Sequence, residues 1–406
     1  MWSTAQLAGL RMNTPLSDQH RLRVEASVSA LTVVVLAPMV FRLAGSSYDH
    51  AIHRNIALAM KDHLTLYTPH FLLQLLVLAF DWLLPGNIDR AMSVVMLLAY
   101  AASAAVIARV ILRRTSSVAV VYMMTLGLLL SSSAAFLFPL DRHLYFGYVP
   151  ANVFHSPTMV LLKPLALASF GYAVSALWPQ QGEKAPTLIP AALLTVVCAL
   201  AKPSYTVCIL PALAVLAAKR AASRTPIDWK LLAFGFFLPA LATLLLQYQW
   251  TYSDRQIPGV YAGTSHIVFA PLVVVRHYSS WLGPKLLFSL LFPFSALAVN
   301  FRRAREDLAL MLAWVLFAAG AGLMYLLAET GPRAIQGNLL WSAQIAVFIL
   351  FVQSAAHISS YFGGSLATCV PRERWRAKAS FGCLLLHTAF GIAFYVAEYN
   401  QLQALW

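Results

Sequence analysis

Charged residues are scarce in this chain. Asp, Glu, Lys and Arg make up 11% of its 406 residues, whereas apolar types make up 60%. A soluble domain carries roughly 25% charged residues, so this chain lacks the charge to cover a water-facing surface. The mean hydropathy of +0.70 and repeated apolar runs of the roughly 20 residues that cross a bilayer predict a membrane protein. The runs lack the alternation of barrel strands, which predicts an all-α polytopic fold.

Cysteines and several common motifs are also scarce or absent. The four cysteines, Cys198, Cys208, Cys369 and Cys383, form no CxxC pair, which predicts apolar packing residues rather than a disulfide frame or a zinc site. The chain has no GxxxxGK[ST], GxSxG or HExxH pattern, which argues against a P-loop motor, an α/β-hydrolase and a zinc protease. It offers no cytoplasmic domain for a nucleotide sugar, so any sugar donor would arrive by the membrane or from outside.

Acidic residues are outnumbered by basic ones, 15 to 29, for a net charge of +14. The basic residues gather in connectors between apolar runs, at 219–230, 300–307 and 371–378. This pattern predicts cytoplasmic loops that meet anionic membrane lipids, and no nucleic-acid partner. The polar segment 1–23 is predicted to be cytoplasmic, followed by an uncleaved first span rather than a signal peptide.

The predicted organisation is a single membrane domain over 24–400 with about eleven spans and a short outer C-terminus at 401–406. Outside 71–218, spans are predicted near 24–44, 231–248, 285–300, 308–327, 338–357 and 380–398.

The region 71–218 allows two arrangements. In the first, 71–84 is a short outer-face helix that does not cross, spans follow near 90–112, 117–138 and 158–177, and 187–218 is a broken hairpin. In the second, 71–87 crosses and 187–218 is one long, kinked span. The first puts Arg113 and Arg114 inside and 141–157 outside, and the positive-inside rule favours it.

The first outer loop, 45–70, is too polar to span and repeats apolar residues at helical spacing, which predicts a helix on the membrane surface. Its ionisable candidates are Asp49, His50, His53 and Arg54. Asp49 could take a proton from an acceptor hydroxyl, and the other three could bind an anionic group. The alternatives are a surface helix with solvated charges and a metal site at His50, His53 and His70.

Two further segments combine polar side chains with prolines. In 145–158, the candidates Tyr148, Asn152 and His155 could stack against a sugar ring and bind its hydroxyls, unless the segment is an ordinary loop with interfacial tyrosines. In Ala201-Lys202-Pro203-Ser204-Tyr205, Pro203 breaks an apolar run. Lys202 at that break could meet a phosphate, with Tyr205 beside it, or could simply snorkel to the membrane surface.

The last two candidate segments lie in later outer loops. Glu329, Arg333 and Asn338 follow one another closely, and the planar fork of Arg333 suits phosphate. The alternative is a short loop with a self-satisfied Glu-Arg pair. The loop from Tyr252 to His266, with Asp254 and Arg255, is long enough to cover a substrate or to be merely a mobile loop.

Five segments together carry a resemblance: YDHAIHRNIALAM, YTPHFLLQLL, FHSPTMVLLKP, LAKPSY and ETGPRAIQGN. With one span leading to an acidic residue and a surface helix, the chain resembles the GT-C superfamily of integral membrane glycosyltransferases, in particular bacterial members of exopolysaccharide clusters. The resemblance implies that Asp49 is the catalytic base and that Lys202 and Arg333 bind the donor phosphate. Asp49 stands alone where many members have an acidic pair.

The expected function is transfer of a sugar from a polyprenyl-phosphate donor to a lipid-linked or glycan acceptor on the periplasmic face of a bacterial inner membrane. The N-terminus would be cytoplasmic. No cofactor is expected, although a divalent metal is an alternative. The other hypotheses are a polymerase or ligase of lipid-linked polysaccharide, and a flippase or transporter of lipid-linked glycans.

Overall fold

The computed structural model describes residues 17–46, 48–84, 86–144, 146–179, 187–252, 264–362 and 370–400. Some residues and segments named in the sequence analysis lie outside these described residues: Tyr145, Asp254, Arg255, Cys369 and the segment 401–406. The first nine helices are α1 Asp18–Ser46, α2 Tyr48–His63, α3 Leu72–Leu83, α4 Ile88–Leu112, α5 Val118–Leu130, α6 Phe138–Asp141, α7 Pro157–Leu177, α8 Leu188–Ala201 and α9 Ser204–Ala222. A π-helical turn Leu231–Phe237 then leads into α10 Leu238–Tyr252.

The remaining elements include one short strand pair. They are β1 Ile267–Phe269, α11 Val273–Tyr278, α12 Leu282–Ser289, α13 Leu291–Val299, α14 Phe301–Glu306, α15 Leu308–Leu326, β2 Leu327–Glu329, a 3-10 turn Gly331–Arg333, α16 Leu340–Ser359 and α17 Pro371–Tyr399. Strands β1 and β2 pair antiparallel, with Ile267 opposite Glu329.

The chain is an all-α polytopic membrane protein. Among the described residues, eight helices are long and apolar enough to cross a membrane, and α12 with α13, bent by 53°, would form a ninth span. The other two predicted spans correspond to the shorter helices α5 and α8, of 13 and 14 residues. At 1.5 Å per residue, each is about 20 Å long, less than the roughly 30 Å hydrocarbon core.

Ion pairs bring the basic connectors to one end of the bundle. Arg109 at the end of α4 binds Glu25 near the start of α1 at 2.7 Å, and Arg114 binds Asp307 at 3.2 Å. Arg303 lies 3.7 Å from Glu373 at the start of α17. We call this end, formed by 109–117, 219–230, 300–307 and 371–378, the basic face.

The opposite end, formed by 48–70, 146–157, Lys202 and 327–341, is called the histidine face. Helices α2 and α3 form a hairpin there, because Gln74 contacts His53 at 2.9 Å and Lys61 binds Asp81 at 2.8 Å. Both ends of α3 therefore lie beside α2. This pairing favours the first of the two arrangements, in which 71–84 does not cross.

Helices α8 and α9 are two separate helices that fold back on each other, as the predicted broken hairpin requires. Gln247 near the end of α10 donates to the carbonyl oxygens of Ala199 and Pro69, at 2.8 and 2.9 Å, which ties the end of α8 to the histidine face. Helix α9 returns to the basic face, where the Arg220 guanidinium lies 5.0 Å from the Trp178 ring. Pro203 separates the two helices, so Lys202 sits at the turn.

Helix α5 ends earlier than the predicted span 117–138. It stops at Leu130, and Ser131, Ser132 and Ser133 continue as buried irregular backbone. Serine competes for backbone hydrogen bonds and favours helix ends. Asn152 donates to the Leu128 and Ser131 carbonyl oxygens, both at 2.7 Å, which satisfies backbone groups that would be costly if left unpaired in the bundle.

Asp307 on the basic face offers a test of the bundle's packing. Its side chain is 7% exposed, caps α15 by accepting from the Leu310 N–H at 3.3 Å, and contacts His357 at 3.2 Å besides Arg114. Burial alone would raise the pKa of Asp307, but His357, Arg114 and the Leu310 N–H lower it by more, so the net shift is downward.

We expect Asp307→Asn to destabilise the protein by about 1–2 kcal/mol, since it removes the charge but keeps a good cap. Asp307→Ala should cost about 1 kcal/mol more because it removes the cap as well. Because the folded-state pKa is depressed, this stabilisation is present above the unfolded pKa and is lost as pH falls through the folded value. Unfolding in detergent at neutral and acidic pH measures both effects. If both variants were as stable as wild type, the contacts of Asp307 with Arg114, His357 and the Leu310 N–H would contribute nothing to stability, which would contradict this account.

Candidate functional site

Asp49 lies in the first turn of α2, where a carboxylate is favoured by the helix dipole. The residue is half-buried, and within the described part of the chain it makes no hydrogen bond or ion pair. Its charge nevertheless acts on His155, Lys202 and Glu398, which come from distant parts of the sequence. Asp49 is thus a carboxylate near cations that forms no ion pair with any of them among the described residues.

His50, the next residue, is 2% exposed, and both of its ring nitrogens lack a hydrogen-bond partner among the described residues. Burial, and then the nearby positive charge of His155, lower the pKa of His50 to about 3. The ring is therefore neutral at physiological pH. A neutral imidazole can donate from one nitrogen and accept at the other, which suits a sugar hydroxyl.

His155 precedes α7, and its Nδ1 lies 2.8 Å from Oε1 of Glu398 at the end of α17. The Glu398 side chain is 0% exposed and that of His155 is 20% exposed. Burial and the Lys202 charge lower the pKa of His155, but Glu398 and Asp49 raise it by more, so the net shift is upward. His155 differs in this respect from His50 beside it.

His53 and His70 form the next part of the cluster. The Gln74 amide nitrogen lies 2.9 Å from the His53 Nδ1, and the Thr68 hydroxyl lies 3.4 Å from the His70 Nδ1. Burial and neighbouring positive charges, chiefly His70 and Lys202, hold the pKa of His53 well below its usual value. Burial, Lys202 and Arg333 lower the pKa of His70 to about 4. Both rings are neutral at physiological pH.

Lys202 is the cation common to these contacts. Its ammonium donates to the Thr158 hydroxyl at 3.1 Å and lies 3.8 Å from the centroid of the Trp341 ring. It acts electrostatically on His53, His70 and His155. The break at Pro203 therefore places one lysine beside Asp49 and the histidines.

A second polar group is centred on Glu329, which is 7% exposed. Tyr252 donates to one carboxylate oxygen at 2.7 Å and Asn338 to the other at 2.6 Å, while Arg333 lies 3.8 Å away. The Arg333 charge also reaches His70. Arg333 therefore links this group to the histidine cluster. Glu329, which accepts a hydrogen bond from Asn338, is the carboxylate beside Arg333.

Two other sequence candidates lie apart from these contacts. Arg54 turns toward the start of α4 and binds Asp89 at 3.2 Å. His266 is exposed before β1, and its backbone N–H donates to the Thr330 hydroxyl at 2.9 Å. Arg54 thus holds α2 against α4, and His266 belongs to the strand pair.

Tyr148, Asn152 and Tyr205 are buried and pack inside the bundle. The Tyr148 hydroxyl accepts from the Leu137 N–H at 3.1 Å. The Asn152 amide holds the end of α5, and its oxygen accepts from Lys163 at 2.5 Å. The polar groups of Tyr148 and Asn152 therefore bind the protein itself, whereas the buried Tyr205 hydroxyl has no hydrogen-bond partner among the described residues.

Glu398 is the site residue that sequence reasoning missed. It is the acid nearest the end of the last apolar helix, and an acid in such a helix is a functional candidate by default. The missing information was its partner, since His155 lies 243 residues away in the sequence.

No group of three or more His, Cys, Asp or Glu side chains within the described ranges is arranged to hold a metal ion. His50, His53 and His70, the sequence's candidate metal ligands, instead share one electrostatic cluster with Lys202. Comparison of the chain with protein-family models, curated proteins and solved structures gives no match.

Proposed function

We propose that this chain is a glycosyltransferase of the GT-C type, which moves a sugar from a polyprenyl-phosphate donor to a lipid-linked or glycan acceptor. The observation that carries the proposal is the position of Asp49, which is half-buried, not hydrogen-bonded within the described residues, and under the influence of His155 and Lys202. A base beside cations at one face of a membrane bundle suits a substrate with a reactive hydroxyl and a phosphate leaving group.

The proposed reaction is a single displacement. Asp49 takes the proton of the acceptor hydroxyl, and the acceptor oxygen forms a bond to the anomeric carbon of the sugar. The bond between that carbon and the donor phosphate breaks, and the phosphate leaves with the electron pair. Attack opposite the leaving group inverts the anomeric centre. Lys202 and Arg333 offset the negative charge that develops on the departing phosphate.

The proposal extends to location. The basic face would lie in the cytoplasm of a bacterium, by the positive-inside rule. The N-terminus would then be cytoplasmic, and the histidine face would meet the periplasm at the inner membrane. Lipid donors and acceptors would reach it there without any nucleotide sugar.

Product analysis tests the proposed function against its alternatives. The purified protein is reconstituted in sealed vesicles with labelled polyprenyl-phosphate sugars and a lipid-linked acceptor. We expect products that grow by single sugars. Growth by whole repeat units would indicate a polymerase or ligase instead, and movement of the label across the vesicle membrane without covalent change would indicate a flippase.

Lys202 provides a prediction about donor binding. Lys202→Met should reduce sugar transfer by roughly 10- to 100-fold, because a hydrogen bond to a charged group contributes about 1.5–3 kcal/mol. The loss should appear largely in the KM for the donor. Lys219→Met, exposed at the other end of the same hairpin, is the matched control and should transfer normally. Normal transfer by Lys202→Met would remove Lys202 from the proposed phosphate site.

A further inference from the structure

We propose that Trp341 is a positioning residue for the donor phosphate: its indole ring, with the Thr158 hydroxyl, holds the Lys202 ammonium where its charge meets the phosphate. This inference rests on the proposed function for the identity of the anion. It adds Trp341, which is not among the candidates predicted from the sequence. It also makes the affinity for the donor depend on the π-electron density of a single ring.

Three separate elements bring these groups together. Thr158 lies in the first turn of α7, Trp341 in the first turn of α16, and Lys202 follows the last residue of α8. The Lys202 ammonium donates to the Thr158 hydroxyl at 3.1 Å and lies 3.8 Å from the centroid of the Trp341 ring, well within the roughly 6 Å of a cation–π contact. A lysine ammonium has three N–H donors. Thr158 takes one and the ring face another, so the third can point to an anion.

The charge of Lys202 is not neutralised at contact distance. The other lysine and arginine side chains of the histidine face each lie 2.8–3.8 Å from a carboxylate: Arg54, Lys61 and Arg333. Lys202 forms no such ion pair in the part of the chain that the structure describes. A carboxylate would compete with a phosphate for the ammonium, whereas a hydroxyl and an aromatic face hold it and leave its positive charge. Lys202 is therefore held in a way that suits binding of an external anion.

The backbones on either side of the contact are fixed, which confines the effect of the ring to the Lys202 side chain. The Lys202 N–H donates to the Cys198 carbonyl oxygen at 2.9 Å. Next to Trp341, a Cβ at Gly320 would lie 2.6 Å from the Ser342 carbonyl oxygen, so α15 and α16 pack with their backbones in contact. Without the ring, the Lys202 side chain spreads over more rotamers, and only the fraction in the binding pose takes up the donor. The apparent affinity falls by that fraction.

A binding experiment tests this without any sugar transfer. The probe is farnesyl methyl phosphate, a prenyl phosphodiester with a single negative charge. Calorimetry on the full chain in detergent should show affinity lower by roughly 3- to 30-fold in Trp341→Leu, the range that a cation–π contact contributes. Trp341→Tyr keeps an aromatic face and should bind more tightly than Trp341→Leu. Trp375→Leu, an exposed residue of the basic face, is the control and should bind as wild type. In sugar transfer, the loss should appear in the KM for the donor, with kcat little changed.

A second readout separates the electrons of the ring from its shape. Fluorine atoms withdraw π-electron density from an indole while nearly keeping its size, so a merely structural role of Trp341 would not respond to them. Tryptophans that carry an increasing number of fluorine atoms are incorporated at position 341 alone. The affinity for the probe should fall with each added fluorine. The same residues at position 178, where the Trp178 ring lies 5.0 Å from the Arg220 guanidinium, are the matched control and should leave the affinity unchanged.

The fluorinated series keeps the test decisive if Trp341→Leu does not fold. The inference is overturned if fluorination at position 341 leaves the affinity unchanged, if a folded Trp341→Leu protein binds as wild type, or if wild type does not bind the probe. Displacement of the probe by an equal concentration of phosphatidylglycerol would assign Lys202 to a membrane phospholipid and would also overturn it. Probe binding that depends on the ring, without any sugar transfer, would contradict the proposed function alone. Sugar transfer with donor binding that is insensitive to the ring would contradict only the inference.

Discussion

Asp49→Asn is expected to reduce sugar transfer by about 10²–10⁴-fold, the range that a positioned general base contributes. Asparagine has nearly the same shape as aspartate but cannot take a proton from the acceptor hydroxyl. Because Asp49 makes no hydrogen bond or ion pair among the described residues, its replacement leaves no partner unsatisfied there. The loss should therefore appear in kcat, with unfolding temperature close to that of wild type.

The control for this variant lies on the same helix. Asp62 is near the end of α2 and exposed to solvent, so Asp62→Asn removes the same charge from the same element without touching the cluster. Transfer by this control should be unchanged. An Asp49→Asn protein that keeps wild-type kcat would show that Asp49 is only a first-turn residue stabilising its helix.

The largest expected effect on folding comes from Gly391→Ala. A Cβ atom at Gly391 would run into the carbonyl oxygen of Leu130 and lie 2.8 Å from the Ser131 carbonyl carbon. Both atoms are backbone and cannot give way without moving the irregular segment after α5. We expect destabilisation of about 3 kcal/mol or more, at the upper end for overpacking.

Gly382 in the same helix is the matched control, because a Cβ there would meet no atom within 4 Å. Gly382→Ala should be neutral or stabilise by roughly 0.5–1 kcal/mol, since glycine weakens helices. Thermal unfolding in detergent compares the two. Glu398 lies two turns beyond Gly391 on α17, so Gly391→Ala should also disturb the His155 pair. Equal unfolding temperatures would show that α17 does not cross α5 so closely.

Much of the architecture could be predicted from composition. The apolar runs indicated the spans because each needs about 20 apolar residues to cross a bilayer. Pro203 indicated the break between α8 and α9, since proline removes a backbone donor and kinks or breaks a helix. The spacing of apolar residues in 45–70 indicated a helix, which is α2. Each of these signals is local in the sequence.

The parts that sequence reasoning missed depend on contacts between distant residues. Helix α5 was predicted to continue to 138, yet it ends at Leu130 because Asn152 binds the carbonyl groups that the irregular segment leaves open. The predicted span 285–300 is two helices bent by 53° at Leu290. At the end of α5, the side chain that binds the open carbonyl groups, Asn152, lies 21 and 24 residues away in the sequence.

The candidate site also contains residues that the sequence predicted correctly as neighbours and residues that it did not. Six candidates were predicted one by one from the sequence and lie close enough in the structure to influence one another electrostatically: Asp49, His50, His53, His155, Lys202 and Arg333. Tyr148, Asn152 and Tyr205 had the right chemistry for a sugar, but they are buried inside the bundle. Residue type alone cannot distinguish a polar side chain that is accessible to a ligand from one that is buried in the protein.

The most direct test of the central claim is transfer by the wild-type protein from a polyprenyl-phosphate sugar labelled at its anomeric carbon, with the product followed by NMR. The account predicts that the label moves from the lipid phosphate to the acceptor, one sugar at a time, and that the new linkage has the inverted anomeric configuration. A label that stays on the lipid phosphate with every acceptor offered would contradict the assignment of the histidine face as a sugar-transfer site.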